Sequence, residues 1–308
     1  MDTIPVGTVI DAGGGARKAL TVWERLVADD DGMIRETKPF TVGAKVSSGE
    51  LCDVYECTDQ PVVLKVCRQQ ATNDLMVAEQ VALDAIYPPG TQEDKFYRYL
   101  PHIVAAFEWQ GHKSHVFPAF TEHVSLEAIM KASPDGIDYR DWAWMFRRVL
   151  EGVGFVHQRG RVHGALVPPH ILVHPVNHGA RLIDWCYSQP LGEVLKAIPQ
   201  RYREYYPPEV FAKGATSVST DLYVAAKTSI AVLGGNPANN SFPASVPETV
   251  QEFLGQTLAS NPARRPVDAW AYREEFGKVL EGLVGKPAYR KFEIPKITKK
   301  AHHELKIH

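Results

Sequence analysis

The 308-residue chain is poor in the features that mark several large protein classes. It has four cysteines, Cys52, Cys57, Cys67 and Cys186, and no C-x-x-C pair. That argues against a disulfide framework and a cysteine-built zinc site, and a reducing, cytoplasmic setting is expected. No apolar run approaches the roughly 18 residues a membrane span needs. The opening M-D-T-I-P-V-G lacks the basic and apolar regions of a secretory signal. Neither sign of charge dominates: 34 Lys and Arg against 36 Asp and Glu leave a formal net charge of -2. No global attraction to nucleic acid or membrane is therefore expected. With 44% hydrophobic and 23% charged residues, the composition is that of a globular protein large enough for a two-lobed domain.

Periodicity is weak over residues 1–40, which read as an extension before the main domain. Gly13-Gly14-Gly15 precedes Arg17-Lys18 but lacks the spacing of a phosphate loop, and reads as a flexible turn. Trp23, Leu26 and Val27 suggest a short amphipathic element. Asp29-Asp30-Asp31-Gly32 lacks the further ligands a calcium loop requires.

From Phe40 the pattern becomes that of strands: Val42–Val46, Asp53–Cys57 and Pro61–Cys67, with turns at Ser47-Ser48-Gly49 and Thr58-Asp59-Gln60. Lys65 lies inside the apolar run of the third, where an unpaired cation is costly. A helix is expected over Asn73–Ile86, and Glu79 falls within its apolar stripe. An inward Lys and an inward Glu invite an ion pair. Two further strands, Ile103–Trp109 and His115–Phe120, precede a helix over Tyr139–His157 that Gly160 closes.

The informative stretch runs from Arg161 to Cys186. Ile171-Leu172-Val173 and Arg181-Leu182-Ile183 read as a hairpin that delivers Asp184 at its end. A loop opened by His163 and closed by His170 lies ahead of it. The series His163-Gly164-Ala165-Leu166, His170 and Asp184-Trp185-Cys186 resembles the catalytic loop H-R-D-L-x-x-x-N and the D-F-G motif of the protein kinase family. The order of the other motifs agrees. Lys65 and Glu79 match the family's ion pair, and Pro207-Pro208-Glu209 its A-P-E. Asp221 matches the aspartate that holds the catalytic loop. Asn261-Pro262-Ala263-Arg264-Arg265-Pro266 matches a late motif whose Arg265 pairs with Glu209.

The resemblance spans residues 41–285 and implies an α+β, two-lobed kinase-like fold. Its N-lobe would be residues 41–122 and its C-lobe 123–285, with a basic, solvated tail over 286–308. It implies an ATP cradle of Lys65 and Glu79, with Ser47 and Gly49 in the phosphate loop and Ala119 and Thr121 at the adenine edge beside a gatekeeper Pro118. Asp184 and His170 would hold Mg or Mn, while His163 is structural. Ala165 stands where the family has its base, Gly164 replaces its arginine, and His170 replaces the metal-binding asparagine. Imidazole suits magnesium poorly. The expectation is a pseudokinase, ATP-binding and regulatory or scaffolding, with a protein partner of unknown identity. Two alternatives stay open: an atypical kinase or nucleotidyltransferase with a base such as Asp141 or His174, and a scaffold that binds no nucleotide. A zinc site from His163, His170, His174 and His178 is disfavoured, because Pro168, Pro169 and Pro175 forbid the helix that would align them.

Overall fold

The computed structural model describes residues 9–10, 40–87, 95–286 and 288–294. The readings on Gly13–Gly15, Trp23–Val27 and Asp29–Gly32 lie outside them. One antiparallel sheet builds the first lobe, from β1 (Val9–Ile10), β2 (Phe40–Ser48), β3 (Cys52–Cys57), β4 (Val62–Cys67), β5 (Ala105–Trp109) and β6 (His112–Pro118). The spatial order is β1-β2-β3-β4-β6-β5. Two residues of the expected extension thus join the sheet edge, Val9 opposite Thr41 and Ile10 opposite Phe40. Strand β4 sits inside the sheet, between β3 and β6, and is buried at every position but Val63. That is why its sequence is nearly continuous in apolar residues.

Helix α1 (Asn73–Ile86) packs on this sheet with Leu75, Met76, Glu79, Ala82, Leu83 and Ile86 inward. In the second lobe, α2 (Leu126–Ala132) follows β7 (Val124–Ser125), and the Ser125 hydroxyl caps it by accepting from Ala128 N–H at 3.1 Å. Helix α3 (Tyr139–His157) is the core element, carrying Trp142, Met145, Phe146, Val149 and Val153 into the largest apolar cluster. It stops at Gly160, which takes a positive φ of 72°. Short strands β8 (Arg161–Val162), β9 (Ile171–Val173), β10 (Ala180–Leu182) and β11 (Gln189–Pro190) frame the loops between α3 and the next helices. Leu172 pairs with Arg181 across the β9–β10 hairpin.

Four helices complete the lobe: α4 (Pro208–Phe211), α5 (Val218–Val232), α6 (Glu248–Gly255) and α7 (Ala269–Val284). Helix α5 is capped at its N-terminus by a serine. Ser217 is the cap, in a reciprocal capping box with Thr220, and Asp221 lies one turn inside. Helix α5 is buried along nearly its whole length, so its polar first turn is free to serve the loop beside it.

The described part of the basic tail is mostly exposed but is docked through a few side chains. Arg290 reaches Asp141 at 2.7 Å, Phe292 is buried against Trp144, and Tyr289 stacks on His178. A cation with long aliphatic reach and two rings supplies enough contact to hold a short segment against α3. Among the described residues no helix is long and apolar enough to cross a membrane.

Arg265 and Glu209 form a two-point pair, Nη1 to Oε1 at 2.5 Å and Nη2 to Oε2 at 3.1 Å, with the arginine side chain fully buried. It ties α4 to the segment before α7. Replacing Arg265 by Met should destabilise the fold by about 3–5 kcal/mol, because the carboxylate loses its two-point counter-charge. Urea unfolding of the two proteins measures it; a difference below about 1 kcal/mol would refute the assignment.

Candidate functional site

The two lobes meet at Lys65. Its ammonium, on β4, lies 2.7 Å from Glu79 Oε1 on α1 and 2.5 Å from Asp184 Oδ1 at the end of the β9–β10 hairpin. Cys186 Sγ stands 3.2 Å away. Glu79 is held from its other side by His115 Nδ1, 2.9 Å from Oε2, and it accepts the Trp185 N–H at 3.1 Å. Burial alone would pull the Lys65 pKa down. Asp184, Cys186 and Glu79 outweigh it and hold the ammonium well above its ordinary value. Burial works the other way on Asp184, and Lys65 and His170 overcome it, so the carboxyl is held well below the usual range.

Asp184 reaches this position through a strained backbone. Its φ of 67° and ψ of 61° are left-handed, a region open to Asp at a cost of about 1 kcal/mol or more. Its second oxygen, Oδ2, receives His170 Nε2 at 3.0 Å. The ring's other nitrogen, Nδ1, is 2.9 Å from the Ala165 carbonyl oxygen. Structural elements thus bring Lys65, Glu79, Asp184 and His170 into one cluster.

Asp221 secures the loop in between. Its carboxylate accepts the backbone N–H of His163 at 2.8 Å and of Gly164 at 2.9 Å, with His157 Nε2 at 2.9 Å. His163 is wholly buried; Nδ1 accepts from Ala165 N–H and Nε2 donates to the Ile183 carbonyl, which fixes a neutral ring. Gly164 has a φ of 78°, and an added Cβ would stand 2.5 Å from the Tyr187 carbonyl oxygen. The loop backbone therefore leaves no place for the arginine that the kinase pattern carries here. Ala165 is fully buried in an apolar cluster with Cys52, Met76, Cys186 and Tyr187.

A cavity of about 360 Å³ opens in front of the cluster, large enough for a small ligand. Val54, Val63, Phe117, Phe120 and Ile183 form its apolar part, while Lys65, His170 and Asp184 stand at its polar end. Ser47 and Gly49 line it too. Gly49 has room for a side chain, since a Cβ there would meet only Cys52 O at 3.5 Å. Glu50, at the tip of the same turn, crosses to the other lobe and accepts the N–H groups of Gln200 at 2.8 Å and Arg201 at 2.7 Å.

Several expected positions differ. Ala119 and Thr121 are not among the residues lining the cavity; Phe117, Pro118 and Phe120 are. The Ala119 N–H is spent on the Pro61 carbonyl at 2.8 Å, which turns that stretch toward the sheet. Asp141 and His174 lie off the cavity as well. Asp141 pairs with Arg290, and His174 contacts Glu122 at 3.2 Å while its Nδ1 accepts from Val176 and Asn177. The histidines diverge: His170 faces Asp184, His174 faces Glu122, and His178 stacks on Trp144 at 4.0 Å. Glu50, Phe117 and Phe120 were missed in the sequence.

No family model matches the chain, and no curated protein does. Among solved structures it is similar to the crystal structure of a kinase domain, with a TM-score of 0.62 and 15% sequence identity over 82% of this chain and 99% of that one.

Burial pulls the pKa values of His163 and His102 down to about 4 each. The unfolded chain has these rings near 6.5, so between roughly pH 6.5 and 4 it binds more protons than the fold does. Stability is then lost as pH falls through that window, by about 3 kcal/mol for each ring. The depressed carboxyls of Glu79 and Asp184 extend the loss to lower pH. Urea midpoints should fall steadily from pH 7 to pH 4.5, and a flat profile would show that these rings are protonated in the fold. At this identity the likeness is one of fold, and the chain has the two-lobed α+β fold of a kinase domain.

Proposed function

We propose that this chain is a nucleotide-binding module on a kinase fold that regulates or scaffolds a protein partner and does not carry out ordinary phosphoryl transfer to a hydroxyl. The observation that carries the reading is a mismatch within one site. Lys65, Glu79 and Asp184 are assembled at the polar end of an apolar cavity, while position 165 presents a methyl group buried away from it. The apolar walls suit a base and the Lys65 ammonium suits a phosphate chain. A hydroxyl acceptor needs a group in reach that takes its proton, and removing such a group costs about 10²–10⁴ in rate. Asp141 and His174 do not line the cavity, so neither favours the atypical transferase. Glu127 does line it, but its carboxylate is engaged by Lys131, Arg201 and Tyr202. The assembled cluster and its open cavity speak against a scaffold without nucleotide.

Thermal unfolding with ATP and with ADP tests the reading. At nucleotide tenfold above its Kd the gain is about 1.4 kcal/mol, which corresponds to a rise of about 2–3 °C for a chain of this size. The rise should appear in the wild type and vanish in Lys65→Met and Asp184→Asn, each compared with its own ligand-free melt. Incubation with γ-labelled and α-labelled ATP should leave no label on added protein substrates or on the chain. Label that disappears in Asp184→Asn would establish transferase activity and overturn the proposal.

A further inference from the structure

The first lobe holds a pair of thiols that nucleotide binding does not use. Cys52 opens β3 and Cys67 closes β4, and the two are direct partners across the antiparallel ladder. The Arg68 N–H donates to the Leu51 carbonyl at 2.8 Å, so the hydrogen-bonded pair is the next one out and Cys52 faces Cys67 between bonds. Such a pair brings its Cα atoms to about 4.5 Å with both side chains on one face. That lies within the range of about 4.4–6.8 Å that a disulfide spans. The sulfurs already interact, with the Cys52 S–H donating to the Cys67 sulfur. Both thiols are free and buried, packed with Leu75, Met76, Ala165 and Tyr187.

The pair is chemically unequal. The hydrogen bond from Cys52, helped by Thr72 and the Gln69 backbone, outweighs burial and draws the Cys67 thiol down to about 6. Cys52 keeps its proton, because it donates to Cys186 and to Cys67 from a buried position. One sulfur is thus ready to act as thiolate and the other to resolve what forms on it. Cys52 also lines the cavity, which gives a small molecule a route to a pair otherwise sealed in the sheet.

We propose that Cys52 and Cys67 form a reversible disulfide site, oxidised by hydrogen peroxide that enters through the cavity. The Cys67 thiolate attacks one peroxide oxygen, the O–O bond breaks, and the departing hydroxide takes up a proton to leave as water. The Cys52 thiol then attacks the resulting sulfenic sulfur. The S–O bond breaks, and the second hydroxide leaves as water with the Cys52 proton. Two sulfurs have then given up one electron each, and peroxide has been reduced to two waters. Cys186 is the other sulfur beside Cys52, but it is engaged by the Lys65 ammonium at 3.2 Å and a bond to it would have to span the lobes. Strands β3 and β4 hold Cys52 and Cys67 at fixed register instead. Closing the bond draws the Cys52 sulfur away from Met76 Sδ, 3.3 Å off on α1, and from Cys186. Oxidation in the sheet is therefore felt by the helix that carries Glu79 and by the segment that follows Asp184. In a reducing compartment such a bond is transient, which suits a sensor and not a structural staple.

Peroxide treatment of the folded wild-type chain, followed by thiol blocking, digestion and mass spectrometry, is the test. Two of the four free thiols should be lost, with a mass lower by two hydrogens. One linked pair of peptides should carry Cys52 and Cys67, and dithiothreitol should restore both thiols. Cys57→Ser and Cys186→Ser should leave that linkage unchanged, while Cys67→Ser should abolish the mass loss. Mapping of the wild type decides the matter even where Cys67→Ser fails to fold. A link from Cys52 to Cys186, or oxidation confined to Cys57, would overturn the proposal. So would retention of all four thiols at a peroxide concentration that oxidises the same chain in urea. None of these outcomes depends on whether a nucleotide binds.

Discussion

A single buried ammonium joins three parts of this protein that lie far apart in the sequence. Lys65 belongs to an inner strand of the sheet, Glu79 to the helix lying on it, and Asp184 to a hairpin of the other lobe 119 residues away. Each charge alone would be expensive to bury. Together, with His115 and the Trp185 N–H completing the coordination of Glu79, they tolerate a setting where the lysine is only 8% exposed. Losing any member leaves the others uncompensated in low dielectric. The lobes, the helix and the hairpin therefore meet at one electrostatic constraint, backed by the apolar cluster of Cys52, Met76, Ala165, Cys186 and Tyr187, and the cavity lies where they converge.

The departures from the kinase pattern are consistent with one another, which is why they read as a design and not as isolated losses. Ala165 sits among Cys52, Met76, Cys186 and Tyr187, where a carboxylate would have no partner. Gly164 holds a left-handed backbone against the Tyr187 carbonyl, and that geometry fixes where the Ala165 carbonyl points. The Ala165 carbonyl in turn receives His170, and His170 receives Asp184. Restoring an aspartate at position 165 would bury an unpaired charge within this chain of contacts. It would not recreate a base at the cavity, because the loop no longer presents that side chain to it.

Lys65 and Glu79 were legible in the sequence because local pattern sufficed: a cation inside an apolar strand and a carboxylate inside a helical stripe cannot both be left unpaired. Asp184 was legible from a hairpin that ends on it. Asp221, Glu209 and Arg265 had no local signal; only the order of motifs along the chain singled them out. What stayed hidden was set by tertiary geometry. Nothing near Glu50 reveals that it caps backbone groups 150 residues on. The proline at 118 ends its strand, and the Ala119 N–H then turns to Pro61, so that Phe117 and Phe120 line the cavity in place of Ala119 and Thr121. Spacing placed His170 near Asp184 but gave no indication that each of its nitrogens meets an acceptor.

Two contacts span the mouth and the floor of the cleft, and their magnitudes differ enough to assign them different roles. Glu50 is exposed, and its hydrogen bonds to Gln200 and Arg201 compete with water, so that clasp contributes of order 1 kcal/mol or less. The Lys65–Asp184 contact lies at the buried end of the cavity, where breaking it strands two charges and costs several kcal/mol. A ligand can therefore displace the outer clasp at little expense while the inner one keeps the lobes in register. The same asymmetry makes the polar end of the cavity the rigid end. Its ammonium is preset before anything enters, held by Glu79 and Asp184, whereas the mouth can open without disturbing it.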